Sequence, residues 1–255
     1  MTAAQSTADP TSLSAADIAK RAAAARALDF VEPGMTLGLG TGSTAAWFIR
    51  LLSERIRETG LPVTGIATSN TTLWLARELG IPVREIDTAK EIDLTVDGAD
   101  EIDGHLNLIK GGGAALLKEK IVATASARMI VIADQTKIVS TLGAFPLPVE
   151  VVKFGHTRTQ QAIEEIVANS DVDGTSVVLR QSGNQALVTD EGHHILDLHL
   201  GRIGDLSALA QNLARVPGVV DHGLFIGIAE SVIIGRQDGT CDVIDRPAAA
   251  ENASR

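Results

Sequence analysis

Thr95-Val96-Asp97-Gly98-Ala99-Asp100-Glu101-Ile102-Asp103 is followed closely by Lys110-Gly111-Gly112-Gly113-Ala114-Ala115-Leu116-Leu117-Lys118-Glu119-Lys120. The first run reads as the end of a buried strand, Ile92 to Val96. That strand should stop at Asp97, because Asp and Gly are poor strand formers. Four carboxylates (Asp97, Asp100, Glu101, Asp103) then crowd one turn and repel one another unless a cation or a substrate lies nearby. Lys110 supplies the cation. Three glycines let backbone approach a ligand closely, and a helix opens behind them with Glu119 expected on its second turn. Acid, base, cation and exposed amides gathered in so short a stretch point to a reaction centre for a small polar molecule. The alternative is a solvated acidic turn that binds Mg²⁺ or Ca²⁺. Asp97, Asp100 and Asp103 recur at three-residue steps but lack the other oxygen ligands of a calcium loop, so no metal is assigned.

Upstream, Met35 to Gly40 reads as a strand, and Thr41-Gly42-Ser43-Thr44 opens a helix running to about Arg57. A strand, a glycine turn and a helix N-terminus form an anion cradle of amides, hydroxyls and a favourable dipole. It is no P-loop, and Ser43 stands where a dinucleotide fingerprint needs its third glycine. Such a turn can also be packing punctuation; the hydroxyls of Ser43 and Thr44 favour phosphate. Further strands are expected at Leu61–Thr68, Pro82–Ile86 and Met129–Ala133, with Ser69 capping a helix between the first two. Apolar strands alternating with helices indicate a parallel sheet covered on both faces. Ligands bind beyond the carboxyl ends of such strands. Thr41–Thr44, Ser69–Thr71, Asp97–Asp100 and Asp134–Lys137 all fall there.

From Phe145 the pattern changes to strand, helix, strand, strand, helix, strand. The elements are Val149–Val152, Thr157–Asn169, Ser176–Arg180, Ala186–Thr189 with His194–Leu198, Leu206–Val216 and Val219–Phe225. This is the split βαβ order of a ferredoxin-like unit. Gly227–Ile234 and Asp242–Ile244 return to the first sheet. The expected fold is therefore α/β: a Rossmann-like parallel-sheet domain at 13–145 plus 226–246, and a smaller ferredoxin-like α+β domain at 146–225. Residues 1–12 and 247–255 are small and polar and read as disordered tails.

A net charge of −10 over 255 residues argues against a nucleic-acid partner, which would call for a basic stripe. It leaves room for an anionic substrate held by local lysines and helix N-termini. Cys241 is the sole cysteine, which rules out an intrachain disulfide and a cysteine zinc site and suggests the cytoplasm. The N-terminus lacks a signal-peptide pattern, and no apolar run approaches the ~18 residues of a membrane span. His193, His194 and His199 do not converge as ligands and lack an acidic companion at metal spacing. Trp47 and Trp74 read as core. Lys20 lies on a helix capped by Ser14; in isolation it would be a solvated surface lysine.

Taken together, these runs resemble ribose-5-phosphate isomerase of the A type. The likeness rests on Gly40–Thr44, Asp97–Glu101, Lys110–Ala115 with Glu119, Ala133-Asp134 with Lys137, Phe145–Glu150, Pro217–Val220 and Gly223–Phe225. It spans roughly Asp17 to Val243; the N-terminal extension, Phe154–Arg158 and His199–Arg202 depart from it. The resemblance implies interconversion of D-ribose 5-phosphate and D-ribulose 5-phosphate in the non-oxidative pentose phosphate branch, without metal or organic cofactor. It implies Glu119 as proton acceptor, Lys110 with Gly111, Gly112 and Gly113 at the oxyanion, and Asp97 and Asp100 at hydroxyls and in ring opening. Thr41, Gly42, Ser43, Thr44, Gly98, Ala99, Lys137 and Lys20 would complete the substrate site of a homodimer or homotetramer. Two alternatives stay open: a sugar-phosphate-sensing domain that catalyses nothing, and another sugar-phosphate enzyme such as a deaminase or lactonase.

Overall fold

The computed structural model describes residues 13–246, so the two expected tails lie outside the described residues. Ser14 caps α1 (Ala15–Ala27) by accepting the Asp17 N–H, and the buried face of this helix is built from alanines. There follow β1 (Thr36–Leu39), α2 (Ser43–Thr59), β2 (Thr64–Ala67), α3 (Asn70–Glu78) and β3 (Leu94–Asp97). Next come the two-residue strands β4 (Glu101–Ile102) and β5 (Leu108–Ile109), then α4 (Leu116–Thr124) and β6 (Met129–Asp134). β1, β3 and most of β6 are buried on both faces, which is why they read as apolar runs rather than alternating ones. The strand expected at Pro82–Ile86 amounts to one bridge between Val83 and Gly65 before the chain turns into a short 3-10 helix. Pro82 brings a carbonyl but no N–H to the ladder.

The second half holds β7 (Leu147–Val151), α5 (His156–Ala168), β8 (Ser176–Leu179), the hairpin β9 (Gln181–Ser182) and β10 (Gln185–Ala186), β11 (His194–His199), α6 (Leu206–Ala214) and β12 (Val219–His222). Of the region expected as strand at 186–189 only Ala186 pairs, as the last residue of β10; the rest is loop. β13 (Leu224–Phe225), β14 (Ser231–Gly235) and β15 (Cys241–Asp245) complete the described residues. The strand expected at Val219–Phe225 breaks at Gly223, where β12 stays in one sheet and β13 joins another. A Cβ there would meet the Lys110 carbonyl at 2.2 Å, so only glycine lets the two backbones cross.

The main sheet runs β15-β14-β6-β3-β1-β2, parallel throughout except for the β15 edge. The second sheet runs β12-β7-β11-β8 with every pair antiparallel, the ferredoxin-like order. A small sheet, β13-β5-β4, pairs the hairpin that follows β3 with the short strand after Gly223. Each large sheet has its own apolar cluster, one around Leu37, Phe48 and Val96, the other around Val149, Ile163 and Leu213. The fold is thus α/β, a Rossmann-like parallel sheet with a smaller ferredoxin-like partner. Among the described residues no helix is long and apolar enough to cross a membrane.

Candidate active site

The carboxyl ends of β1, β3 and β6 open onto a cavity of about 300 Å³. Strand β1 delivers Thr41, Gly42, Ser43 and Thr44 to its wall, and β3 delivers Gly98, Ala99 and Asp100. The glycine run contributes Lys110, Gly111, Gly112 and Gly113, with Glu119 behind them. Lys20 of α1 and Lys137, in the turn after β6, line the same space. Of the catalytic and substrate-binding residues that the resemblance implied, only Asp97 is absent from the wall. It is completely buried beneath it.

Lys110, Asp97 and Glu119 form the buried core of the site. The Lys110 ammonium donates to the Gly98 carbonyl at 2.7 Å and stands 2.9 Å from Asp97 Oδ2 and 3.2 Å from Glu119 Oε1. Asp97 Oδ1 accepts the N–H groups of Thr41 and Gly98, which ties the ends of β1 and β3 together. Asp97 Oδ2 and Glu119 Oε2 have no aligned hydrogen-bond donor among the described residues, so the close Lys110–Asp97 contact is a charge contact. The Phe225 ring sits under both Lys110 and Lys120, with the nitrogens 5.5 and 5.0 Å from its centroid. Burial works to lower the Lys110 pKa, but the charges of Asp97 and Glu119 outweigh it and hold the ammonium above the ordinary lysine value. Burial first, then the Asp97 charge, push the Glu119 carboxyl up to about 8, against the opposing pull of Lys110. A carboxyl that titrates there can both take and return a proton near neutral pH.

Glu119 lies in the first turn of α4, not the second, because the glycine turn continues through Ala114 and the helix begins only at Leu116. Ala114 itself has φ 60°, a strained conformation for a residue with a Cβ. The acidic turn is divided among separate tasks. Asp100 Oδ2 accepts the Gly112 N–H at 2.8 Å. Glu101 accepts from Gly143 and Phe145, and Asp103 closes its own turn on His105 and Asn107. Among the described residues no three His, Cys, Asp or Glu side chains are grouped to hold a metal.

At the cradle, Gly42 takes φ 102° and α2 begins at Ser43, so the helix presents its first amides at the cavity. The Thr41 hydroxyl turns away into a cluster with Thr68, Ser69 and Thr72. Ser69 is therefore spent bracing the loop and capping α3, and the 69–71 stretch lies outside the cavity wall. Gln237 and Ala16 line the cavity without any motif to announce them. Arg180 also escaped the sequence reading: its guanidinium donates to the carbonyls of Gly111 and Gly112 from across the second sheet. His193 does have an acidic companion, Glu150, 2.9 Å away, in a pair that is not part of the cavity lining. Trp47 packs against the main core as expected, whereas Trp74 is 67% exposed.

The sequence model of ribose 5-phosphate isomerase A (phosphoriboisomerase A) matches residues 64–239. The ribose-5-phosphate isomerase A of Cereibacter sphaeroides is 60% identical over 236 residues, covering 92% of this chain and 94% of that one. The solved isomerase A of Methanocaldococcus jannaschii superposes with a TM-score of 0.83 at 36% identity, covering 91% of this chain and all of its own. A D-ribose-5-phosphate isomerase in complex with phospho-erythronic acid gives 0.82 at 38% identity, covering 89% and 97%. Fold and site define an isomerase of the parallel-sheet α/β class. The chain belongs to the ribose 5-phosphate isomerase A family.

Proposed function

We propose that the chain interconverts D-ribose 5-phosphate and D-ribulose 5-phosphate through a cis-enediolate, with Glu119 carrying the proton between C2 and C1. The observation that carries this reading is Glu119 itself. It is buried at the cavity, pushed up to about 8, with one oxygen near Lys110 and the other unpartnered among the described residues. Moving a carbonyl from C1 to C2 needs a base for the C2 proton and an acid to return it to C1. One carboxyl that titrates near neutrality does both.

Lys110 and the amides of Gly111 and Gly113 face the oxyanion that develops as the C2 proton leaves. Asp97 acts from beneath, holding the ammonium charged and in place. Asp100, fixed by the Gly112 amide and lining the cavity, receives substrate hydroxyls and assists ring opening. The amides and hydroxyls of Gly42–Thr44, with Lys20 and Lys137, take the phosphate. The phospho-erythronic acid bound by the solved relative is itself a phosphorylated sugar acid, which supports a sugar phosphate in this cavity.

The reading needs neither metal nor organic cofactor. It assigns the site to residues 13–145 plus 226–246, with 146–225 as a distinct unit, in a cytoplasmic homodimer or homotetramer serving pentose phosphate metabolism. The test is ribulose 5-phosphate formation from ribose 5-phosphate in EDTA, with wild type and Glu119→Gln compared. Wild-type turnover should resist EDTA and fall ~10²-fold or more in the variant. Binding without turnover in the wild type would leave a sugar-phosphate sensor instead, and loss on EDTA treatment would require a metal.

A further inference from the structure

The glycine run that presents Lys110 has no side chains of its own to fix its course, and Gly111 takes φ 105°. Something outside the run must hold it. Arg180 follows β8 and its backbone is anchored on both sides: its N–H donates to Ile195 O of β11 and its carbonyl accepts from Leu187 in the loop after β10. Its guanidinium grips Asp197 of β11 in a two-pronged pair, Nε to Oδ2 at 2.8 Å and Nη2 to Oδ1 at 2.5 Å. The remaining arm, Nη1, donates to Gly111 O at 2.8 Å and Gly112 O at 3.3 Å. Both side chains of this pair are mostly buried.

In a planar trans peptide the carbonyl and the next N–H point in opposite directions. Holding the Gly111 and Gly112 carbonyls toward the second sheet therefore turns the Gly112 and Gly113 amides the other way. The Gly112 amide meets Asp100, and Gly113 lies on the cavity wall. The charged donor also polarises both peptides, which makes their N–H groups better donors. Only a planar fork serves all of these contacts at once; a lysine cannot hold both carboxylate oxygens and reach two carbonyls.

We propose that Arg180, locked by Asp197, is a positioning residue that turns the Gly113 amide toward the enediolate oxyanion and the Gly112 amide onto Asp100. The proposal rests on the isomerase reading above. A positioning role should separate kcat from KM, since the phosphate is held elsewhere in the cavity.

The experiment measures turnover and binding for wild type, Arg180→Met and Arg180→Lys, each corrected for its folded fraction. For Arg180→Met, kcat should fall ~10- to 100-fold while KM stays within about threefold. Affinity for 4-phospho-D-erythronate, whose carboxylate stands in for the oxyanion, should fall ~10-fold with affinity for inorganic phosphate unchanged. Arg180→Lys should lie between the two and is read by the same criteria if Arg180→Met does not fold. A kcat within about twofold of wild type, or a rise in KM alone, would overturn the positioning role. A wild type that binds the acid but does not turn over would sink the isomerase reading, leaving the acid's affinity to judge Arg180. A wild type that does neither would sink both.

Discussion

Asp97 stands directly over Gly40: a Cβ on Gly40 would lie 2.2 Å from Asp97 Oδ1 and 2.5 Å from its Cα. That approach lets the Thr41 N–H reach the carboxylate at 3.0 Å and seats Asp97 under Lys110. Because backbone lies within the clash, a side-chain rotation cannot relieve it. Gly40→Ala should cost about 1–3 kcal/mol, lowering the melting temperature by roughly 2–10 °C. Turnover should drop with it, because β1 and β3 would separate at the site. An unchanged melting curve would show that Asp97 is not packed as described.

The Glu119 carboxyl sits at about 8, and only its ionised form is a base. The kcat/KM for ribose 5-phosphate should therefore climb with pH and level off above that value. A profile already flat in the ordinary glutamate range would remove the argument from burial. Stability runs the other way. The folded state holds this proton more tightly than the unfolded chain, so stability is full below the ordinary glutamate value and declines as pH rises from there through about 8. Glu119→Gln cannot titrate. Its melting temperature relative to wild type should rise across that window while its activity stays low, and a constant difference would count against the shift.

Much of this site was legible because its residues are consecutive in the chain. Asp97–Asp100, Lys110–Gly113 and Gly42–Thr44 lie at strand ends that a parallel sheet gathers at one edge, so strand order alone converges them. What stayed hidden depends on three-dimensional approach. Arg180 is one arginine in a polar stretch until the second sheet carries it to the Gly111 carbonyl. Thr41 reads as a cradle hydroxyl, yet the nearness of Thr68, Ser69 and Thr72 turns it inward. The split at Gly223 and the failed strand at Pro82–Ile86 have a related cause. Both runs look extended, but the backbone crossing Lys110 and the missing proline N–H decide which neighbours they pair with.

Lys110→Met should act on stability and titration together. It leaves the Asp97 carboxyl fully buried and without its cation, which costs about 3–5 kcal/mol. It also removes the one charge that pulls the Glu119 pKa down, so any residual activity should show its rising limb at higher pH than wild type. Thermal melts and a pH–rate profile of the same preparation check both. A limb that stays in place would mean Lys110 and Glu119 do not interact as their 3.2 Å separation requires.

Lys20 and Lys137 line the cavity from two elements that carry none of the proposed proton transfer, and they test which end of the site holds the phosphate. A group that only binds the phosphate contributes equally to ground state and transition state, so its loss raises KM and spares kcat. Lys20→Ala and Lys137→Ala should each raise KM ~10-fold or so with kcat nearly unchanged, whereas Glu119→Gln should do the reverse. The wild-type KM should also rise with ionic strength, since added salt screens an ammonium–phosphate attraction, and less steeply in either variant. If Lys137→Ala lowered kcat and left KM alone, the lysine would belong with the oxyanion, and the phosphate would rest on the α2 amides and Lys20.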